Sequence, residues 1–417
     1  MATASGIEKK VILAPQAAKG TCAVANLATA QYLRRVTSSL NVTKETYQSN
    51  EMRADRQIAD MRHGVQSVDG SISGELSPGT YEKFMAAILR KAWVAAPASG
   101  AYSDITAAVT SGNAGTFTSA STATFLKDGL KIGDVVRQTG GTGDAANNNA
   151  RNFLITALTD KVITGLMLDG SPVKAAASGD ALTFTGVGKK TWVPSTGHTE
   201  DWFSIEHNYS DVDLSEVFWD LKVNSLAVKL PATGIATIDI GLMGLNHTNY
   251  ASGASPYFSA VLAACTKGVL AAVNGAIYVE GTKIALITGM DFDIAGNLSS
   301  EPVVGSNVKP DIFDGRVMVK GNMTVFFENA TFRDYFENET EVTINCVLTT
   351  DNTATADFLS FTFPRVKVGG ASKDDGEKGI VQTMPFVALF DTNAGADTGA
   401  TATATLATTM SIQDSSL

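Results

Sequence analysis

The chain has 417 residues, more than one ordinary hydrophobic core accommodates, and reads as two or three domains. Its 44% hydrophobic and 18% charged residues exclude a disordered chain. The formal net charge of −10 excludes a surface built to grip nucleic acid, because phosphate binding needs clustered Lys and Arg.

From the start, residues 1–10 lack the apolar core of a signal peptide. No apolar run reaches the roughly 18 residues of a membrane span, so no membrane anchor is expected. Alternation of apolar and polar residues predicts a strand over 36–42, then a polar stretch over 43–63, then a second strand over 65–76. Ser77 and Pro78 suit the start of a helix. Tyr81, Phe84, Met85, Ile88 and Leu89 then fall on one helical face, which should cover the sheet.

Residues 99–190 have a different texture, rich in Gly, Ala, Ser and Thr. Short strands over 133–137 and 152–156 flank a loop over 140–149, and the segment reads as a small inserted β-barrel. It carries 8 Lys+Arg and 7 Asp+Glu, so the acidic excess belongs to the rest of the chain. Strands follow over 221–230 and 235–242, joined by Pro231-Ala232-Thr233-Gly234.

A second copy of this order comes next. Leu40-Asn41-Val42 aligns with Met290-Asp291-Phe292, and Val68-Asp69-Gly70-Ser71-Ile72-Ser73 with Val319-Lys320-Gly321-Asn322-Met323-Thr324. Tyr81 and Phe84 align with Phe332 and Tyr335. Strands are expected over 284–294, 317–327, 358–368 and 379–390, with a further strand over 401–405 and fraying at 413–417. The predicted fold is mainly β: two tandem β-sandwich or barrel domains, each with a flanking helix, plus the small inserted barrel. The boundaries are 1–98 with 191–250, 99–190, and 251–417. Replacing 99–190 with a short linker is expected to leave assembly intact.

No catalytic motif appears. Cys22, Cys265 and Cys346 are isolated and read as small hydrophobes. His63, His198, His207 and His247 fall in no metal spacing, and His198 and His207 read as polar surface despite Glu200, Asp201 and Glu206 nearby. No phosphate or dinucleotide loop occurs, so no cofactor, metal or catalytic residue is assigned. The stretch 43–63 holds Lys44, Glu45, Glu51, Arg53, Asp55, Arg56, Asp60 and Arg62, and its counterpart 295–314 holds Glu301, Lys309, Asp311 and Asp314. These mixed charges suit either a solvated loop or an arm that docks on a neighbouring subunit or ring. Asp239 alternates with apolar neighbours and faces either a lumen or bulk solvent.

The order of elements, with the run from Met61-Arg62-His63-Gly64-Val65 through Ser77-Pro78-Gly79-Thr80-Tyr81, resembles the tail tube (major tail) proteins of long, non-contractile-tailed bacteriophages. The resemblance covers 1–98 and 191–417. It implies a non-enzymatic virion protein, assembled in the host bacterial cytoplasm. Six tube domains, or three subunits with two each, would form a ring, and stacked rings a tube with an acidic bore. Double-stranded DNA would pass without being held. Itself, the tape measure protein and the tail tip and terminator proteins would be the partners. A surface or secreted β-domain that binds carbohydrate or a receptor is the alternative, but the four tryptophans are scattered and no secretory signal is seen.

Overall fold

The computed structural model describes residues 3–22, 29–142, 145–177, 181–251, 256–374, 377, 379–392 and 407–417. The first part forms β1 (Lys9–Gln16), β2 (Gln31–Tyr32), β3 (Thr37–Ser38), β4 (Asn41–Gln48), β5 (Met61–Glu75), α1 (Glu82–Leu89) and β6 (Val94–Ala95). A separate sheet contains β7 (Ile105–Ser111), β8 (Ala114–Ser119), β9 (Val135–Gly140), β10 (Phe153–Leu158), β11 (Val162–Met167) and β12 (Leu182–Gly186). The chain returns through β13 (Lys189–Trp192), β14 (Trp202–Tyr209), β15 (Leu214–Pro231) and β16 (Thr237–Ala251). It continues with β17 (Gly275–Val279), β18 (Thr282–Lys283), β19 (Ile287–Ala295), β20 (Met318–Phe326), α2 (Thr331–Glu337), β21 (Val342–Thr349), β22 (Phe358–Val368), β23 (Ser372–Lys373), β24 (Val381–Ala388) and β25 (Ser411–Asp414). The fold is mainly β, as the alternation predicts.

All these ladders are antiparallel. In the first part β4 pairs with β5, β5 with β16, β16 with β15, β15 with β14, and β14 with β1. In the later part β19 pairs with β20, β20 with β24, β24 with β22, β22 with β21, and β21 with β17. The second strand of each series leads into a helix, α1 after β5 and α2 after β20. The two series join where β15 meets β19, from Ser225 opposite Ala295 to Pro231 opposite Gly289. A register shift between Val223 and Ser225 lets β15 leave β14 and take up β19.

Directly paired residues share a face, and the pattern shows it. Ile72, Ile240, Leu226, Ile294 and Val319 form one row across the sheet, and all are buried. The adjacent row runs Ser73, Asp239, Ala227, Asp293, Lys320, Val387 on the other face. One hydrophobic core therefore extends beneath both series, from Val11 and Phe84 to Phe363 and Met384. Helix α1 buries Phe84, Met85, Ile88 and Leu89 in it. The helix stops at Arg90, which is left-handed at φ 58°, while the Lys91 and Arg90 N–H groups donate to Ala86 and Ala87.

The sheet of β7–β12 has its own core around Phe117, Phe125, Phe153 and Phe184. Reciprocal hydrogen bonds between Tyr102 and Leu182 bring its ends together and curl it. An apolar seam ties it to the later series: Val135, Leu154, Leu166 and Val187 pack with Tyr278, Val347 and Phe358. Gln413 of β25 bonds Val135 and Val187 across the seam, and the buried Lys190 pairs with the buried Asp134.

Several expected boundaries move. The first strand continues to Gln48 and the second begins at Met61, so only 49–60 of the polar stretch is loop. The pairing register places Leu40 against Gly70 as Phe292 stands against Gly321, a two-residue shift from the sequence alignment. Ser77 does not cap a helix: α1 begins at Glu82, and the Ser77 and Thr80 hydroxyls bond each other at 2.6 Å in the preceding turn. The insert strands lie at Val135–Gly140 and Phe153–Leu158. Residues 413 and 414 do not fray but sit buried in β25, held by β13 and β22. The strand expected at 401–405 lies outside the described residues, as do residues 143 and 144 of the 140–149 loop. No helix of the described residues is long and apolar enough to cross a membrane.

Candidate functional site: open edges, arms and one polar face

The polar stretch becomes a protruding hairpin. Lys44 and Glu45 lie on β4, Arg62 on β5, and Glu51, Arg53, Asp55, Arg56 and Asp60 in the loop between them. Arg53 pairs with Asp55 at 2.9 Å and Arg62 with Asp60 at 2.8 Å. The Arg53 hydrogen bond, with help from the Gln57 N–H, holds the Asp55 carboxyl below its usual range. These are exposed pairs between near neighbours in sequence, and such pairs contribute little. The hairpin also exposes large side chains with apolar surface, Tyr47, Met52, Ile58 and Met61. The sequence pattern points to the charges and not to these side chains.

The counterpart loop, 296–317, folds back onto the first series. The Gln66 N–H donates to the Asn307 carbonyl at 2.9 Å. Leu298, Val308 and Ile312 pack with Trp202, Met243 and Leu245. Lys222 anchors the end of the loop. Its buried Nζ reaches Glu200 at 2.7 Å, Asp314 at 3.1 Å and the Ile312 carbonyl at 3.2 Å, above the Trp202 ring. Two carboxylates and a carbonyl offset the desolvation of that ammonium. Lys19 holds Asp311 at 3.1 Å. Burial works against the Asp311 carboxylate, but the bonds from Lys19 and the Ile312 N–H outweigh it and keep its pKa low. Glu301 is exposed and Lys309 half-buried on the same loop. Lys222 was legible only as one charge in an alternating strand.

Asp239 is exposed in the cross-sheet polar row, between Ser73 and Ala227. The same face carries Asp69 and Glu75 of β5, Lys229 of β15, Asp291 and Asp293 of β19, and Lys320 of β20. Burial pushes the Asp293 carboxyl up, and Lys320 opposite works the other way. The face is polar with an acidic excess and few large side chains.

The four histidines do not converge on one site. His207 is buried rather than on the surface: its Nε2 lies 2.8 Å from the Ser38 hydroxyl and its ring meets Phe218 edge-on. Glu206 is buried too, accepting from Ser215 and from the Tyr257 and Phe258 N–H groups. Among the described residues no three His, Cys, Asp or Glu groups are placed to hold a metal. None of the three cysteines is in a disulfide; Cys346 is buried, and Cys22 and Cys265 are half-buried.

A continuous antiparallel sheet with one polar face, and with arms and strand edges at its margins, is the architecture of a structural β protein. The chain belongs to the phage tail tube protein family, whose model matches residues 6–388. It is a component of the virion. Among curated proteins none matches this chain.

Proposed function

We propose that this protein forms the tail tube of a long, non-contractile-tailed phage by self-assembly into stacked rings. The observation that carries the reading is the unbroken ladder through both series, β4–β5–β16–β15–β19–β20–β24, with its single polar face. The matching ladder order of the two series supports a duplicated tube domain: 1–98 with 191–250, and 251–417. Three such chains give a ring with six tube units, and closed cyclic symmetry is the usual outcome for soluble homo-oligomers.

In this reading the polar face lines the bore. Asp239, Asp291 and Asp293 repel phosphate, so DNA moves through without being held. The segment 99–190 is a separate unit that decorates the outside. The arms at 43–63 and 295–314 make contacts between units or rings. The tape measure, tail tip and terminator proteins are the partners expected in the finished tail, and the protein performs no catalysis.

Negative-stain electron microscopy of the purified protein at rising concentration tests this. Hollow tubes or stacked rings are expected, if necessary seeded by a phage tail-tip complex. Uniform small particles in the presence of that complex would overturn it.

A further inference from the structure

The joint between the two series inside one chain is a template for the joint between chains. This joint presupposes the proposed ring and fixes which strands meet, in which register. Leu242 lies opposite Gly70 and Val223, and Phe386 opposite Gly321 and Val368. Along the same ladders Asp239 lies opposite Ala227, and Thr383 opposite Ser372. Ser372 therefore occupies in the later series the place of Ala227 in the first. On the partner side, Asp293 faces Lys320 and Asn41 faces Asp69, so Asn41 occupies the place of Asp293.

Inside the chain Ala227 pairs with Asp293. Among the described residues the equivalent edges have no such mate. Strands β3 and β4 pair only with β5 among the described residues. Among the described residues, the backbone of 369–374 bonds only toward β24, through the Gly369 and Asp374 N–H groups. An unpaired strand edge is a ready template for another chain.

A second feature repeats the asymmetry. Loop 296–317 covers Met243 and Leu245 of β16. The corresponding residues of the later series are Val387, exposed at 39%, and Leu389, half-buried, and the next residue, Phe390, is exposed at 48%. The corresponding arm, in the first series, leaves Met52 and Ile58 exposed, 103% and 69%. Both bare surfaces are apolar, as are the surfaces that meet where loop 296–317 covers β16.

The geometry points to one head-to-tail joint between copies of this chain. The 369–374 edge of one copy pairs with β3 and β4 of the next, with Ser372 opposite Asn41. The 49–60 arm of that next copy seats Met52 and Ile58 over Val387 and Phe390. Because the two surfaces differ, the contact is heterologous, and it gives a ring when its rotation closes after three chains.

Cysteine cross-linking tests the register, with Cys22 and Cys265 replaced by Ser. Assembled Ser372→Cys/Asn41→Cys protein, oxidised and run on a denaturing gel, is expected to give a ladder of linked chains. Either single variant, and the register-shifted pair Ser372→Cys/Thr43→Cys, should lose nearly all of that linkage. Rings that form without the 372–41 link, or that link only through residue 43, overturn the joint while leaving the ring reading standing. Absence of any assembly overturns both. For the arm, Met52→Ser/Ile58→Ser should lose assembled material without a shift in the melting temperature of the free subunit. Unchanged assembly removes the arm from the joint.

Discussion

His207 shows how one residue ties stability to pH. Burial comes first among the causes that lower its pKa, followed by Lys9, Arg35 and His247, and together they push it to about 3. The unfolded chain binds the proton near pH 6.5. Between those values the unfolded state holds more protons than the folded one, so stability falls as pH drops through that window. His207→Gln keeps a polar partner for Ser38 and removes the titration. Urea unfolding of both proteins from pH 7 to pH 4 should show a shallower loss for the variant. Gly70 is a second residue-scale test. It has φ +152°, and a Cβ there would stand 2.7 Å from the Leu40 backbone. Gly70→Ala is expected to cost about 1–3 kcal/mol, measured by the same unfolding.

At the scale of elements, the alternating strands were legible because a half-buried strand must change polarity at every residue. The buried row of Ile72, Ile240 and Ile294 was visible that way, and so was the α1 stripe. Strands β14 and β21 were not, because both are almost wholly buried and read as runs without alternation. The candidate site was only half legible. The sequence displayed the charges of 43–63, but which exposed groups lack a partner depends on where the loop folds. Replacing 49–60 with a Gly/Ser loop is expected to abolish tube formation seen by electron microscopy, with the subunit's circular dichroism unchanged. Phe292, packed at 5.0 Å from Phe361 and 5.2 Å from Phe363, lies at the intrachain joint. Phe292→Ala should destabilise the fold by about 3–5 kcal/mol in chemical denaturation.

Across the whole molecule, the β7–β12 sheet and the later series are not independent surfaces. Deleting 99–190 bares Tyr278, Val347 and Phe358, which the insert now covers. The simple deletion is therefore expected to lower solubility, contrary to the expectation from sequence. Deletion combined with Val347→Thr and Phe358→Thr should recover soluble protein that still forms tubes, scored by sedimentation and microscopy. Loss of tubes from that soluble variant would place 99–190 within the assembly contacts.

The sequence by itself determined the β class, the repeated order of strand, arm, strand and helix, and the acidic balance outside 99–190. Those follow from periodicity and composition, which are local properties of the chain. Only the tertiary structure decided the register of Leu40 against Gly70, the burial of His207 and β25, and which edge and which arm stand bare. Each of these depends on strands far apart in sequence meeting at a particular pair, and a shift of one residue exchanges the buried face for the exposed one.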